Sequence, residues 1–425
     1  MRKKINKNYI YIGIIVLLTF LITSNIAWLN PAPDKGVKIK FPEKIPFMWQ
    51  YNLDAGLEIK SAAFFPDYFR EDPSRVSRPV YPFLSHTFGF IATWWVPFFI
   101  DINPVLFSFI SAATGYVILH LLVCFIGGII LFKLLREFIG TKAALLTVAL
   151  MYFHKYFIMF MGIYHTGDLQ FLTAVFATYM LYDIAKKYSH KKNIIYSFII
   201  GTIYLSKQVY AIYLAIILFA LINKRFKETG ISIISQFMPL AIWLVILKII
   251  DIPYFNLDIE ANHLVWIFND LIFRAPVEII KVGITSMYSF FIQLANYYSF
   301  WLLLPGAALV YLYNDKKINR YHICFILIFF LSCFAQMFAA DRYLTYMVGD
   351  LSFVIFGLSA FLIVKLIRLN KLQKYENRII LLIILLWLFM SLISILNLPW
   401  VHPYDHIVSP IYNTTYLDMA GISGF

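Results

Sequence analysis

VLFSFISAATGYVILHLLVCFIGGIILFKL, residues Val105–Leu134, decides the fold. It carries no charged side chain before Lys133. About 20 apolar residues in a helix cross the ~30 Å hydrocarbon core of a bilayer, and this run is longer than that. Similar runs predict spans over 8–29, 141–163, 168–185, 193–206, 208–223, 230–250, 295–313, 321–340, 345–367 and 379–398. With 105–134 they make eleven. The whole 425-residue chain is 61% hydrophobic and only 14% charged, where a soluble domain is about a quarter charged. The fold class expected is therefore an all-α polytopic membrane protein.

The remaining composition narrows the class further. A net charge of +13 reads as basic cytoplasmic loops, with no nucleic-acid partner implied. Cys124, Cys324 and Cys333 all sit in apolar runs, which gives neither a metal spacing nor a disulfide framework. The basic start and long apolar run of residues 1–29 read as an uncleaved first span. Richness in Lys, Ile and Asn fits an AT-rich prokaryotic genome, so the expected location is a prokaryotic plasma membrane.

Charge then orients the spans. With the N-terminus in the cytoplasm, the basic clusters around Lys133/Arg136, Lys186/Lys187, Lys224/Arg225, Lys316/Lys317 and Lys371/Lys374 all fall on that side. That side collects 22 of the 36 Lys and Arg but only five of the 23 acids, the asymmetry that orients membrane proteins. Phe83–Ile100 is apolar enough to cross, but a crossing there would turn every later basic cluster outward. It is therefore expected along the outer interface, where Trp94 and Trp95 suit headgroup depth. The same argument places 276–292. The expected layout is a membrane domain over 1–398, a first external loop at about 30–104 with interfacial helices, and an external tail over 399–425.

That layout gathers polar chemistry on one face. The stretch Arg75-Val76-Ser77-Arg78-Pro79-Val80-Tyr81-Pro82 lies in the first external loop with Asp54, Glu58 and Asp67. His165 and Asp168 fall in a very short second loop, Lys207 in a tight third, and Arg342 in the fifth. No HExxH, Cys/His cluster or Walker-type glycine loop occurs, so ATP use has no support. Lys207 and Arg342 are suited to a phosphate. A carboxylate such as Asp54 can take a proton from a hydroxyl, while fixed cations stabilise a departing lipid phosphate. Each residue also has a bland reading: helix N-caps for Asp54 and Asp168, a snorkelling Lys207, and local ion pairs for Arg78 and Arg342.

In order and in side, these residues resemble the GT-C glycosyltransferases, which take sugars from polyprenyl-phosphate carriers. The group includes protein O-mannosyltransferases and lipid A aminoarabinose transferases. The resemblance runs over roughly residues 1–370. Asp54, within Asn52-Leu53-Asp54, matches the early acid of the first loop. Arg78-Pro79-Val80-Tyr81-Pro82 matches an Arg-x-x-Tyr-Pro element, and His165-Thr166-Gly167-Asp168 a second acidic site. Gly201 to Lys207 matches a Gly-x5-Lys hairpin, and Arg342-Tyr343-Leu344 a late motif. Glu58 departs from the pattern, since relatives often carry an aromatic nearby.

The resemblance implies Asp54 as catalytic base and Lys207, Arg342 and Arg78 on the lipid phosphate. It leaves Asp168 and His165 either to line the acceptor side or to hold a divalent metal ion. Glu58, Arg75 and Tyr81 are further site candidates. The implied partners are a polyprenyl-phosphate-linked sugar donor, a lipid, glycan or protein acceptor, and the bilayer. The implied reaction is hexosyl or pentosyl transfer with inversion. A flippase of lipid-linked saccharides and an O-antigen-type polymerase are the alternatives.

Overall fold

The computed structural model describes residues 7–29, 53–71, 76, 78–161, 167–186, 189–206, 226–254, 276–315 and 351–396. Fourteen α-helices are described and, among the described residues, no strand. They are α1 (Lys7–Leu29), α2 (Leu53–Ala63), α3 (Tyr68–Glu71), α4 (Val80–Thr93), α5 (Pro104–Ile139), α6 (Thr141–Tyr152) and α7 (Lys155–Met161). The rest are α8 (Gly167–Lys186), α9 (His190–Tyr204), α10 (Phe226–Ile249), α11 (Pro276–Tyr298), α12 (Leu303–Asn314), α13 (Ser352–Leu369) and α14 (Glu376–Leu396). Five segments are long and apolar enough to cross a membrane: Lys7–Ser24, Pro104–Ile139, Phe226–Ile249, Ser352–Leu369 and Gln373–Ile395. They fall on five of the eleven expected spans. The expected spans 208–223 and 321–340, and the tail 399–425, lie outside the described residues.

The central element is α5. Asn103 caps it by accepting from the backbone N–H of Val105 and Leu106, and Pro104 opens its first turn, where a missing N–H does no harm. Gly140, at φ 84°, ends it and turns the chain into α6, a conformation open to glycine. At 36 residues and 1.5 Å per residue, α5 is roughly 54 Å long, well beyond the hydrocarbon core.

The extra length is taken up by α4, which doubles back along the first half of α5. A Cβ on Gly89 would lie 2.0 Å from the Ser111 carbonyl oxygen, and one on Gly115 would lie 1.7 Å from that of Ser85. The paired numbers run in opposite directions, so the two helices are antiparallel. Ser85, Gly89 and Thr93, spaced four apart, are buried toward α5. Phe83, Phe90 and Ile91 of α4, and Trp94, Trp95, Phe98 and Phe99 just after it, are exposed. Small residues inward and large apolar residues outward is how helices pack in lipid. At 14 residues, about 21 Å, α4 is too short to cross.

The expected span 141–163 is broken. The His154 N–H bonds to the Met151 carbonyl at 3.3 Å instead of continuing the α-helical ladder to Leu150. The Leu150 carbonyl is taken by the Trp387 indole N–H at 2.8 Å. Interrupted backbone at membrane depth must find partners inside the protein, and Trp387 of α14 is that partner here. On the far side of the break, Thr23 of α1 donates to the Ile158 carbonyl of α7 at 3.1 Å.

Candidate functional site

The candidate residues ride on α2, α4, α8 and the end of α9. The backbone of Asp54 lies in the first turn of α2. Just over one turn later, Glu58 is fully buried and accepts from the Tyr116 hydroxyl of α5 at 3.0 Å. The Tyr81 ring lies 5.4 Å from Tyr116 and 5.6 Å from His120, centroid to centroid. A second tie holds α2 to α4: His86 Nδ1 donates to the Ala62 carbonyl at 2.8 Å. Beyond the end of α2, Asp67 is exposed and lines an open cavity of about 560 Å³ with Phe64, Phe65 and Tyr68.

The first loop is also clamped to the ends of α9 and α10. The Val80 N–H reaches the Leu205 carbonyl at 3.5 Å, and the Trp243 indole donates to the Val76 carbonyl at 2.8 Å. Arg70 donates to the Ile250 carbonyl at 3.1 Å. Phe69, Val76, Leu205, Trp243, Leu247 and Ile252 form a small apolar cluster beneath these bonds. Half-buried Arg78 thus lies two residues before Val80, whose partner Leu205 is two residues before Lys207 in sequence.

Helix α8 brings the second acidic position near. Gly127 of α5 faces Leu172, and Glu137 accepts from the Tyr182 hydroxyl at 2.6 Å. Both pairs share one offset, so α5 and α8 run parallel. The first turn of α8, which holds the Asp168 backbone, then sits beside residue 123 of α5. That is roughly 10 Å along the axis from Tyr116.

Gly201 of the Gly-x5-Lys element has a packing role. A Cβ there would meet the Gln236 carbonyl oxygen at 2.1 Å, so glycine lets α9 cross α10 closely. Ser232 donates to Asn193 at 2.7 Å at the same crossing. Lys207, Arg342, His165 and Arg75 lie outside the described residues, as do the side chains of Asp54 and Asp168. Among the described residues no group of three or more His, Cys, Asp or Glu could hold a metal ion. Tyr116 and His120, read in the sequence only as part of an apolar span, are additions to the site region; their intramembrane polarity was the available signal.

Taken together, the long apolar helices define a multi-pass helical membrane protein. Residues 93–250 match the model of the dolichyl-phosphate-mannose-protein mannosyltransferase family. The match runs from the end of α4 through α10, so it takes in positions 165, 168 and 207 and leaves out Asp54, Arg78 and Arg342. It supports a membrane glycosyltransferase of the GT-C type. No curated protein matches the chain, and no solved structure does.

Proposed function

We propose that the chain transfers a sugar from a polyprenyl-phosphate-linked donor to an envelope acceptor on the extracytoplasmic side, with inversion at the anomeric carbon. The observation that carries this reading is the match over residues 93–250 to a family described by a dolichyl-phosphate-mannose donor. Asp54 deprotonates the acceptor hydroxyl. Lys207, Arg342 and Arg78 hold the lipid phosphate as it leaves. Asp168 and His165 line the acceptor side or hold a divalent ion. The clamp through Val76 and Val80, which flank Arg78, to α10 and to Leu205 at the end of α9 supports a shared phosphate site for Arg78 and Lys207.

A broken membrane helix is also a feature of transporter sites, and the α6–α7 break invites that comparison. Here the break is filled. His154 is 1% exposed, stacked on Trp387 at 5.7 Å and flanked by Tyr298 and Phe356. A break plugged by rings favours transfer chemistry over substrate passage.

The test uses purified protein in lipid and a panel of radiolabelled polyprenyl-phosphate sugars. Wild type is expected to release or transfer label from one donor. Asp54→Asn is expected to abolish this at unchanged membrane abundance, and Lys207→Ala to lower it strongly. Full turnover by Asp54→Asn would remove Asp54 as the base. Movement of intact donor between leaflets without turnover would replace the reading with transport.

A further inference from the structure

We propose that the Glu58–Tyr116 hydrogen bond is a positioning device that fixes the rotation and depth of α2, and through α2 the place of Asp54. The proposal rests on the reading of Asp54 as base. Asp54 and Glu58 share an 11-residue helix and stand four residues apart. A short helix is a rigid lever: whatever holds Glu58 sets where the first turn lies.

The hold is specific. The Glu58 carboxylate is fully buried and receives the Tyr116 hydroxyl at 3.0 Å. Tyr116 is itself fully buried, in the half of α5 against which α4 is packed by Gly115. Tyr81 of α4 lies against both Tyr116 and His120. The bond therefore ties α2 to the closely packed α4–α5 pair. An apolar contact would give area but no fixed azimuth; a hydrogen bond has a length and a direction. A residue of pure packing would not bring a buried carboxylate, which is unfavourable unless bonded. Glu58 is thus a positioning residue. Its burial beneath Tyr116 sets it apart from Asp67, which opens onto the neighbouring cavity.

Proximity makes the device matter. A misplacement of about 1 Å at a reacting group can lower a rate roughly a hundredfold. Losing the bond without losing the fold is therefore expected to lower kcat by roughly tenfold or more, with donor KM changed less than about twofold.

The experiment measures kcat and donor KM, with thermal unfolding in the same lipid, for Tyr116→Phe, Glu58→Leu, Glu58→Gln, the Glu58→Leu/Tyr116→Phe double variant and Asp54→Asn. The active donor of the panel serves as substrate. Glu58→Gln keeps an acceptor for the tyrosine hydroxyl and is expected to retain most of kcat. Tyr116→Phe and Glu58→Leu are expected to lose most of it at nearly unchanged donor KM, with a modest drop in unfolding temperature because each leaves one buried partner without this bond. The double variant is expected to be no worse in kcat than the poorer single one and to recover stability.

Loss of all turnover in Glu58→Gln would overturn the proposal, because Glu58 would then act through its charge. Wild-type kcat in Tyr116→Phe and Glu58→Leu, beside an inactive Asp54→Asn, would overturn it and leave the base reading standing. Parallel loss of kcat, KM and unfolding temperature in both single variants would overturn it in favour of a merely structural bond. Full activity of Asp54→Asn would instead remove the base reading, and the proposal with it.

Discussion

At the scale of single residues, the close approaches of three glycines carry the sharpest expectation. A Cβ on Gly115 or Gly89 would overlap a backbone carbonyl oxygen, with no flexible side chain to move away. Gly115→Ala must therefore push α4 off α5, and overpacking of this kind costs about 1–3 kcal/mol or more. Gly230→Ala and Gly306→Ala have nothing within 4 Å to meet. They are expected to hold or gain slightly, since glycine inside a helix costs about 0.5–1 kcal/mol against alanine. Thermal unfolding in detergent checks this: a clear drop for Gly115→Ala and none for the two controls. A Gly115→Ala protein as stable as wild type would mean that the α4–α5 contact is looser than described. The sequence carried Gly201 as part of a Gly-x5-Lys element, and its packing against α10 was invisible there. The partner backbone, Gln236, is 35 positions away, and nothing local marks it. Glu58 was legible as a candidate for the same site, but its burial was not, because Tyr116 looks like any tyrosine of a membrane span.

At the scale of elements, legibility followed the length of uninterrupted apolar sequence. Helices α1, α5, α10, α13 and α14 have long apolar runs with charges at the ends, so hydropathy alone finds them. The α6–α7 break was not legible. Phe153 and His154 contain neither Pro nor Gly, and the break is held by Trp387, which is more than two hundred residues away. The outward apolar face of α4 was partly legible, since its aromatics suited an interface. Its inward Ser85, Gly89 and Thr93 become meaningful only beside α5. The break makes its own prediction. Trp387→Phe keeps the ring but removes the only indole donor placed on the Leu150 carbonyl in the described contacts. An unsatisfied buried acceptor costs about 1–3 kcal/mol. Thermal unfolding of Trp387→Phe is therefore expected to fall clearly below wild type, while Trp95→Phe, at an exposed position, stays near it. Equal stability of the two variants would show that another donor replaces the indole.

At the scale of the whole molecule, the contacts sort by the side that the charge rule assigns. Glu376 at the start of α14 meets Lys142 at 2.6 Å and Arg368 at 3.0 Å, joining the start of α6 and the end of α13. Asp183 near the end of α8 meets Lys192 of α9 at 2.7 Å, and Lys365 meets Asp315 at 3.7 Å. Every one of these groups belongs to a loop or helix end assigned to the cytoplasm. The opposite termini meet one another as well: the first loop, the last turn of α9 and the end of α10 are bonded together. Nothing in the charge rule requires such contacts, since it counts residues and ignores geometry. The Val80 N–H and the Leu205 carbonyl join the first loop directly to the end of α9. The orientation itself is open to labelling. In a chain with its three cysteines changed to serine, Asp101→Cys and Lys374→Cys are both exposed positions, one at each end. A membrane-impermeant maleimide is expected to reach Asp101→Cys in intact cells, and Lys374→Cys only after the membrane is opened. The reverse pattern would invert the protein and place the candidate site in the cytoplasm. Labelling of both from one side would break the two-ended arrangement on which the site assignment rests.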